Sequence, residues 1–267
     1  METFQKNRLI LKSLIENKNV VIVGPAPYLN SKKIGNLINN YDVIIRCNKG
    51  NNLIKNPEVF GSRTDILYHC VNQHPENGGK LDYNELKNVK LIVGAYPILS
   101  GQEESSFSDV VDGTMRDYRQ IPKMMLHKFT TINKERYLSF EKKLCCRPNT
   151  GIIAIKDILD LNPKSLYITG FTLFKDGYSK LYRNTIDGNK VTEENSKFFV
   201  LKRMKKAKRH NQYLICKTLK DMLIKNKKVR LDNEFIKILK FDPNIYKNKI
   251  NNKVLTDEQL FEHYLEN

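Results

Sequence analysis

Residues 19–50, NVVIVGPAPYLNSKKIGNLINNYDVIIRCNKG, constrain the fold more than any other part of the chain. Val20-Val21-Ile22-Val23 is an unbroken β-branched run, the pattern of a strand covered on both faces of a parallel sheet. Gly24-Pro25-Ala26-Pro27 ends it, because neither proline can donate to a ladder. A short helix is predicted next, capped by Asn30 or Ser31, with Ile34, Leu37 and Ile38 on one face. A second buried strand over 42–47 follows, and its polar end carries Arg46 and Asn48. Ligands of open α/β sheets sit beyond the carboxyl ends of the strands, where Gly24 and Asn48 both fall. The turn lacks G-x-G-x-x-G, and Arg46-Cys47-Asn48 stands where a dinucleotide fold keeps its ribose-binding acid. NAD and S-adenosylmethionine are therefore poor candidates.

Further strands are predicted over 64–70, 89–96, 129–133 and 166–169. The spacing predicts an apolar helix over 151–161, with Thr150 as its N-cap and Asn162-Pro163 as its stop. Such a helix, opening at Asn149-Thr150-Gly151, presents free N–H groups and a positive dipole end to whatever lies above the sheet. Residues 72–80 read as a polar loop and 98–125 as a long irregular excursion near the site. A helix is expected over 193–204, and His210 stands just ahead of another whose Ile215, Leu219 and Leu223 recur every four residues, with Asn211 as its cap. Thr256-Asp-Glu-Gln259 is a capping-box start. The fold class is α/β, a Rossmann-like, mostly parallel sheet flanked by helices. One such domain is expected over 1–230, with a helical appendage over 231–267 packed on it.

The formal net charge is +17, and residues 197–230 carry thirteen Lys or Arg against one acid, Asp221. Charge of this density attracts an anion, whether a nucleotide-activated donor, an acidic glycan, a membrane surface or nucleic acid. Nucleic acid is the weaker partner, since the run has few interleaved aromatics and no groove-reading motif. The five cysteines form no C-x-x-C pair, which favours free thiols in a reducing compartment. No apolar run approaches the roughly 18 residues of a membrane span, and residues 1–18 alternate charged with apolar positions, as an amphipathic helix does and a signal peptide does not. The expected location is cytoplasmic. No D-x-D occurs, and the histidines and cysteines lack ligand spacing, so no metal site and no cofactor is expected.

The chain resembles the sialyltransferases of glycosyltransferase family 29. Val23-Gly24 and Asp42-Val43-Ile44-Ile45-Arg46-Cys47-Asn48 are similar to the family's long motif. Arg147-Pro-Asn-Thr-Gly151 and Leu166-Tyr-Ile-Thr-Gly-Phe171 are similar to its short motif, and His210 to its late histidine. Family 42 sialyltransferases share the Arg-Cys-Asn ending and the late histidine and are the nearest rival. The resemblance implies an inverting, metal-independent transfer of sialic acid from CMP-sialic acid to a glycan hydroxyl. It implies donor contacts at Gly24, Asn48, Asn149, Thr150 and Gly151, phosphate contacts at Tyr178 and Tyr182, and His210 as general base. By chemistry, one base near neutral pKa suits an acceptor hydroxyl, and the adjacent Lys202–Arg209 cluster would attract an anionic donor and lower the pKa of His210. The chain departs from the family at Pro25, which replaces an asparagine, and at Ile215, where a glutamate is usual. Those departures keep open a nucleotide-binding but inactive relative; a basic nucleic-acid-binding protein is the other alternative.

Overall fold

The structure is a computed structural model that describes residues 2–97, 118, 121–207, 210–251 and 254–267. Most of the expected excursion over 98–125, and Lys208 and Arg209 of the basic cluster, lie outside the described residues. In chain order the elements are α1 (Glu2–Ile15), β1 (Asn19–Val23), α2 (Gly35–Asn39), β2 (Val43–Cys47), α3 (Pro57–Phe60), β3 (Ile66–His69), α4 (Tyr83–Leu86), β4 (Leu91–Gly94) and β5 (Phe129–Thr131). They continue with α5 (Lys134–Leu144), α6 (Thr150–Asp160), β6 (Ser165–Thr169), a small hairpin of β7 (Thr185–Ile186) and β8 (Asn189–Lys190), α7 (Glu193–Ala207), α8 (Gln212–Leu223), β9 (Val229–Leu231), α9 (Asn233–Leu239), α10 (Pro243–Lys249) and α11 (Asp257–Glu266).

Seven strands pair in parallel in the order β5-β4-β3-β2-β1-β6-β9. Val20 to Val23 of the central strand are all buried, Val20 and Ile22 against one layer and Val21 and Val23 against the other. That two-sided burial is why the run carries no polar alternation. Strands β1 to β5 step outward on one side, and β6 then returns to pair on the other side of β1. The order reverses between β1 and β6, and a crevice opens at such a reversal beyond the carboxyl ends of the strands.

The α1 helix is held beneath the sheet by Arg8, which forms a bidentate ion pair with Asp157 of α6, while the hydroxyl of Tyr68 donates to the same carboxylate at 2.7 Å. The C-terminal helices join the main core: Phe235, Ile238, Leu239, Phe261 and Leu265 lie in one buried cluster with Val20, Ile22 and Leu166. Asp232 caps α9, accepts the hydroxyl of Tyr28 and accepts from the Gly170 amide at 3.0 Å, which pins the end of β6 to the segment after β1.

Four local expectations change. The helix after β1 is split into a 3₁₀ turn, Pro27–Ser31, and a short α2, neither with a side-chain cap. Lys33 at φ 45° breaks helical continuity between them, while Asn30 donates to Glu193 and Ser31 to the Tyr28 carbonyl. The cap of α6 is Asn149, not Thr150: Asn149 is extended, and its Oδ1 accepts from the Ile152 amide at 3.1 Å, leaving Thr150 as the first helical residue. The α7 helix runs on to Ala207, beyond the expected stop at 204. Strand β9 lies inside the basic stretch, as an edge strand beside β6. The Asn211 and Thr256 caps fall where the sequence predicts them.

Candidate active site

A cavity of about 340 Å³ lies at the reversal point, walled by the segments that follow β1, β2, β3 and β6, the start of α6 and the facing side of α7. That volume is in the usual range of small-molecule sites, roughly 300–1,000 Å³. Asn48, Asn149, Thr150, Gly151, Tyr178, Tyr182 and His210 all line it. Segments more than 150 residues apart, Asn48 and His210 among them, thus meet on one cavity.

Gly24 does not line the cavity, and Pro25 and Ala26 stand in its place. A side chain at Gly24 would put its Cβ 2.2 Å from the Gly170 carbonyl oxygen, so the glycine serves the close approach of the β1 and β6 ends. The Pro25 carbonyl accepts from the Ser179 amide at 2.8 Å, which ties this turn to the tyrosine loop. Arg46 also stays out of the wall. Side chains alternate along β2, so Cys47 faces the cavity while Arg46 turns to the opposite side. There it is fully buried, donating to Thr64 Oγ1 at 3.1 Å, to the Arg63 carbonyl at 3.2 Å and to the Phe60 carbonyl. Burial pushes its pKa down to about 9.

Asn48 holds a left-handed conformation, φ 49°, that places its side chain at a junction. Its Oδ1 accepts from the Cys70 amide at 2.9 Å, and the side chain lies on the cavity wall with Tyr182. The rings of Tyr178 and Tyr182 pack with centroids 4.9 Å apart. Burial raises the pKa of both phenols, so each stays protonated at neutral pH and keeps an O–H to donate. Gly151 lets the Phe171 ring pack against the first turn of α6, since a Cβ there would sit 2.7 Å from that ring.

His210 precedes α8 and is fixed from the other side of the cavity. Its Nδ1 lies 2.7 Å from the Arg147 carbonyl oxygen. A carbonyl only accepts, so Nδ1 carries the proton and the neutral ring has its lone pair on Nε2. Ile215, at the position of the family's glutamate, is fully buried in the main core and is a packing residue. His69 is excluded from the wall: it is 1% exposed, its Nδ1 accepts from the Val71 amide at 2.9 Å, and burial pushes its pKa down to about 4.

The structure adds cations that sequence reasoning missed. Arg147 stacks on Tyr96 with the guanidinium carbon 4.5 Å from the ring centroid. Arg203 reaches the wall from α7, paired with Glu76 at 3.1 Å and Asp187 at 3.4 Å. Arg183 follows Tyr182 directly and lines the cavity beside both tyrosines. Arg147 lay inside a quoted motif; Arg183 and Arg203 looked like ordinary basic positions. Among the described residues no cluster of three or more His, Cys, Asp or Glu side chains is placed to hold a metal ion, and no helix is long and apolar enough to cross a membrane.

The sequence profile of glycosyltransferase family 29 (sialyltransferase) matches residues 12–160, more than half of the chain. The chain belongs to this family. The matched span carries Asn48 and Asn149–Gly151 and stops before Tyr178, Tyr182 and His210. No curated protein matches the chain in sequence. Among solved structures, a mammalian sialyltransferase in complex with Gal-beta-1-3GalNAc-ortho-nitrophenol is similar at 16% identity and a TM-score of 0.48, over 86% of this chain and 78% of that one. The sialyltransferase CstII from Campylobacter jejuni, in complex with cytidine-5'-monophosphate, is similar at 14% identity and a TM-score of 0.48, over 81% and 80% of the two chains. The protein is a glycosyltransferase of the sialyltransferase family.

Proposed function

We propose that this cavity binds CMP-sialic acid and that the enzyme transfers the sialic acid to a glycan hydroxyl, inverting the anomeric centre without a metal ion. The observation that carries the reading is the convergence of Asn48, the α6 start, both tyrosines and His210 on one cavity in a chain of this family.

In this reading the acceptor hydroxyl enters on the His210 side. Its oxygen forms a bond to the anomeric carbon from the face opposite the phosphate as the bond from that carbon to the phosphate oxygen breaks. The electron pair leaves with CMP, and the hydroxyl proton passes to His210 Nε2, the nitrogen that the Arg147 carbonyl leaves with the lone pair. The bonding at Nδ1 also fixes the ring orientation, as a backbone carbonyl does for many functional histidines. Charge that grows on the leaving phosphate meets the Tyr178 and Tyr182 hydroxyls and the N-terminal end of α6. Fixed donors and dipoles of this kind stabilise a developing charge with little reorganisation. A monophosphate carries less charge than a diphosphate, so protein groups serve where diphosphate donors call for a metal.

Thermal unfolding in the presence of CMP, UDP, GDP or NAD tests the donor assignment. CMP should raise the melting temperature alone of the four, by an amount equal to about 2.7 kcal/mol of stability at a hundredfold excess over Kd. Stabilisation by UDP instead removes the CMP-sugar reading. Transfer from CMP-sialic acid should run undiminished in EDTA, and activity that EDTA abolishes and Mn²⁺ or Mg²⁺ restores contradicts the metal-independent step.

A further inference from the structure

We propose that Arg183 is the cation that binds the donor's leaving phosphate. The assignment rests on the nucleotide-donor reading above and adds to it a residue that neither motif contains. Arg183 lines the cavity at 8% exposure. Its guanidinium carbon lies 5.1 Å from the centroid of Tyr178 and 5.9 Å from that of Tyr182, the two phenols given to the phosphate. One nitrogen, Nη2, donates to the Asn77 carbonyl at 2.9 Å, while the buried Nε has no hydrogen-bond partner.

No carboxylate among the described residues pairs with it. The nearby Arg203 is neutralised by Glu76 and Asp187, and Lys49, whose pKa is lowered by burial and by Arg183, donates its ammonium to the Pro75 carbonyl. A buried cation without a counter-ion is costly, and stacking on aromatic faces offsets only part of that cost. Two other arginines have a buried nitrogen without a partner: Arg46 has Asp65 as a favourable neighbour and does not reach the cavity, while Arg147 lines the cavity but is only half-buried and stacks on Tyr96, not on the tyrosine pair. Arg183 is therefore a cation held ready for an anion that arrives through the cavity. A monoanionic or dianionic phosphate set against the tyrosine hydroxyls meets its charge and its fork of donors.

Calorimetric titration of CMP against cytidine, and of UMP and GMP against their nucleosides, tests this on the full chain. The wild type should bind the nucleotide more tightly than the nucleoside. Arg183→Gln should weaken CMP binding by roughly 10–100-fold, the worth of a charge-assisted hydrogen bond, and leave cytidine binding unchanged. Arg183→Lys, which keeps the charge but not the fork, should lose part of the preference and carries the same test if the Gln variant does not fold. An unchanged CMP-to-cytidine ratio in the variant overturns the inference, as does an equal loss for both ligands, which marks a residue that merely shapes the loop. A wild type that prefers UMP or GMP overturns the CMP-sugar reading alone, and the ratio for that nucleotide then decides Arg183. A wild type that binds no nucleotide more tightly than its nucleoside overturns both.

Discussion

Arg46 and His69, on the segments around β2 and β3, and Arg183 and His210, on the facing wall of the cavity, are the same two residue types with opposite outcomes. On the first side, Arg46 spends three donors on Thr64, Phe60 and Arg63, and His69 accepts from the Val71 amide; both are 1% exposed or less. On the second, the Arg147 carbonyl orients His210, and Arg183 donates to the Asn77 carbonyl and lies against two cavity-lining rings. Residue type therefore says little about role at this sheet edge. What separates the pairs is the direction of the side chain, set at Arg46 by strand alternation, and whether the backbone or the cavity receives its donors.

The sharpest break between the two pairs should come at the histidines. His210→Ala should lower kcat by ~10²–10⁴-fold, the usual contribution of a positioned general base. Its melting temperature and CMP affinity should stay near wild type, because α8 packs through Ile215, Leu219 and Leu223. Steady-state kinetics with differential scanning calorimetry reads both, and wild-type turnover in the variant would move the base elsewhere. Arg46→Met should do the reverse. Removing a buried, multiply bonded cation leaves three acceptors unmet and should cost about 3–5 kcal/mol of stability. CMP affinity of the fraction that folds should be unchanged, and a selective loss of CMP binding would place Arg46 in the site after all.

His69 gives the comparison a pH axis. Its folded pKa, about 4, lies below the ordinary 6.5, so the unfolded chain binds the extra proton between those values. Stability is whole above pH 6.5 and falls as the pH drops toward 4, by about 3 kcal/mol from this group. Denaturant unfolding at pH 7, 5.5 and 4 should show that loss, and His69→Gln should flatten it. An equal slope in the variant would mean that His69 is not the group held neutral.

The smallest effects should come from polar groups on the wall. Thr150→Ala should weaken CMP binding by a few-fold, about 1 kcal/mol for a single hydrogen bond, with little change in stability, since Asn149 supplies the cap. Asn48→Ala should cost a similar amount of affinity and about 1 kcal/mol of stability as well, because its Oδ1 holds the Cys70 amide. Unchanged CMP affinity in both variants would take these two positions out of the donor site.

Much of the fold was legible because buried parallel strands leave short β-branched runs closed by turn residues, as 20–23 does before Gly24-Pro25. Strand β9 was hidden by its setting: an edge strand of three residues, with Arg230 exposed, reads as part of a charged stretch. The split after β1 depends on a positive φ at Lys33, which no residue preference announces. At the site, a strand end and a helix start pointed to Asn48 and the α6 start, and the likeness to the family's late histidine to His210; all of them line the cavity. The strand-end position misled at Gly24, whose need is set by Gly170 across a strand pair 146 residues away in sequence. Arg183 carried no signal either, since an arginine after a tyrosine is ordinary until burial and the lack of an acid partner are seen together.

A crystal structure of the protein with CMP would decide whether these segments form one donor site for a CMP-activated sugar. The nucleotide should lie beyond the carboxyl ends of β1 and β6, with its phosphate within hydrogen-bonding distance of Tyr178, Tyr182 and Arg183 and with His210 Nε2 facing the space where the sugar would lie. A nucleotide bound elsewhere, or a phosphate turned away from the tyrosines and Arg183, would contradict a single donor site.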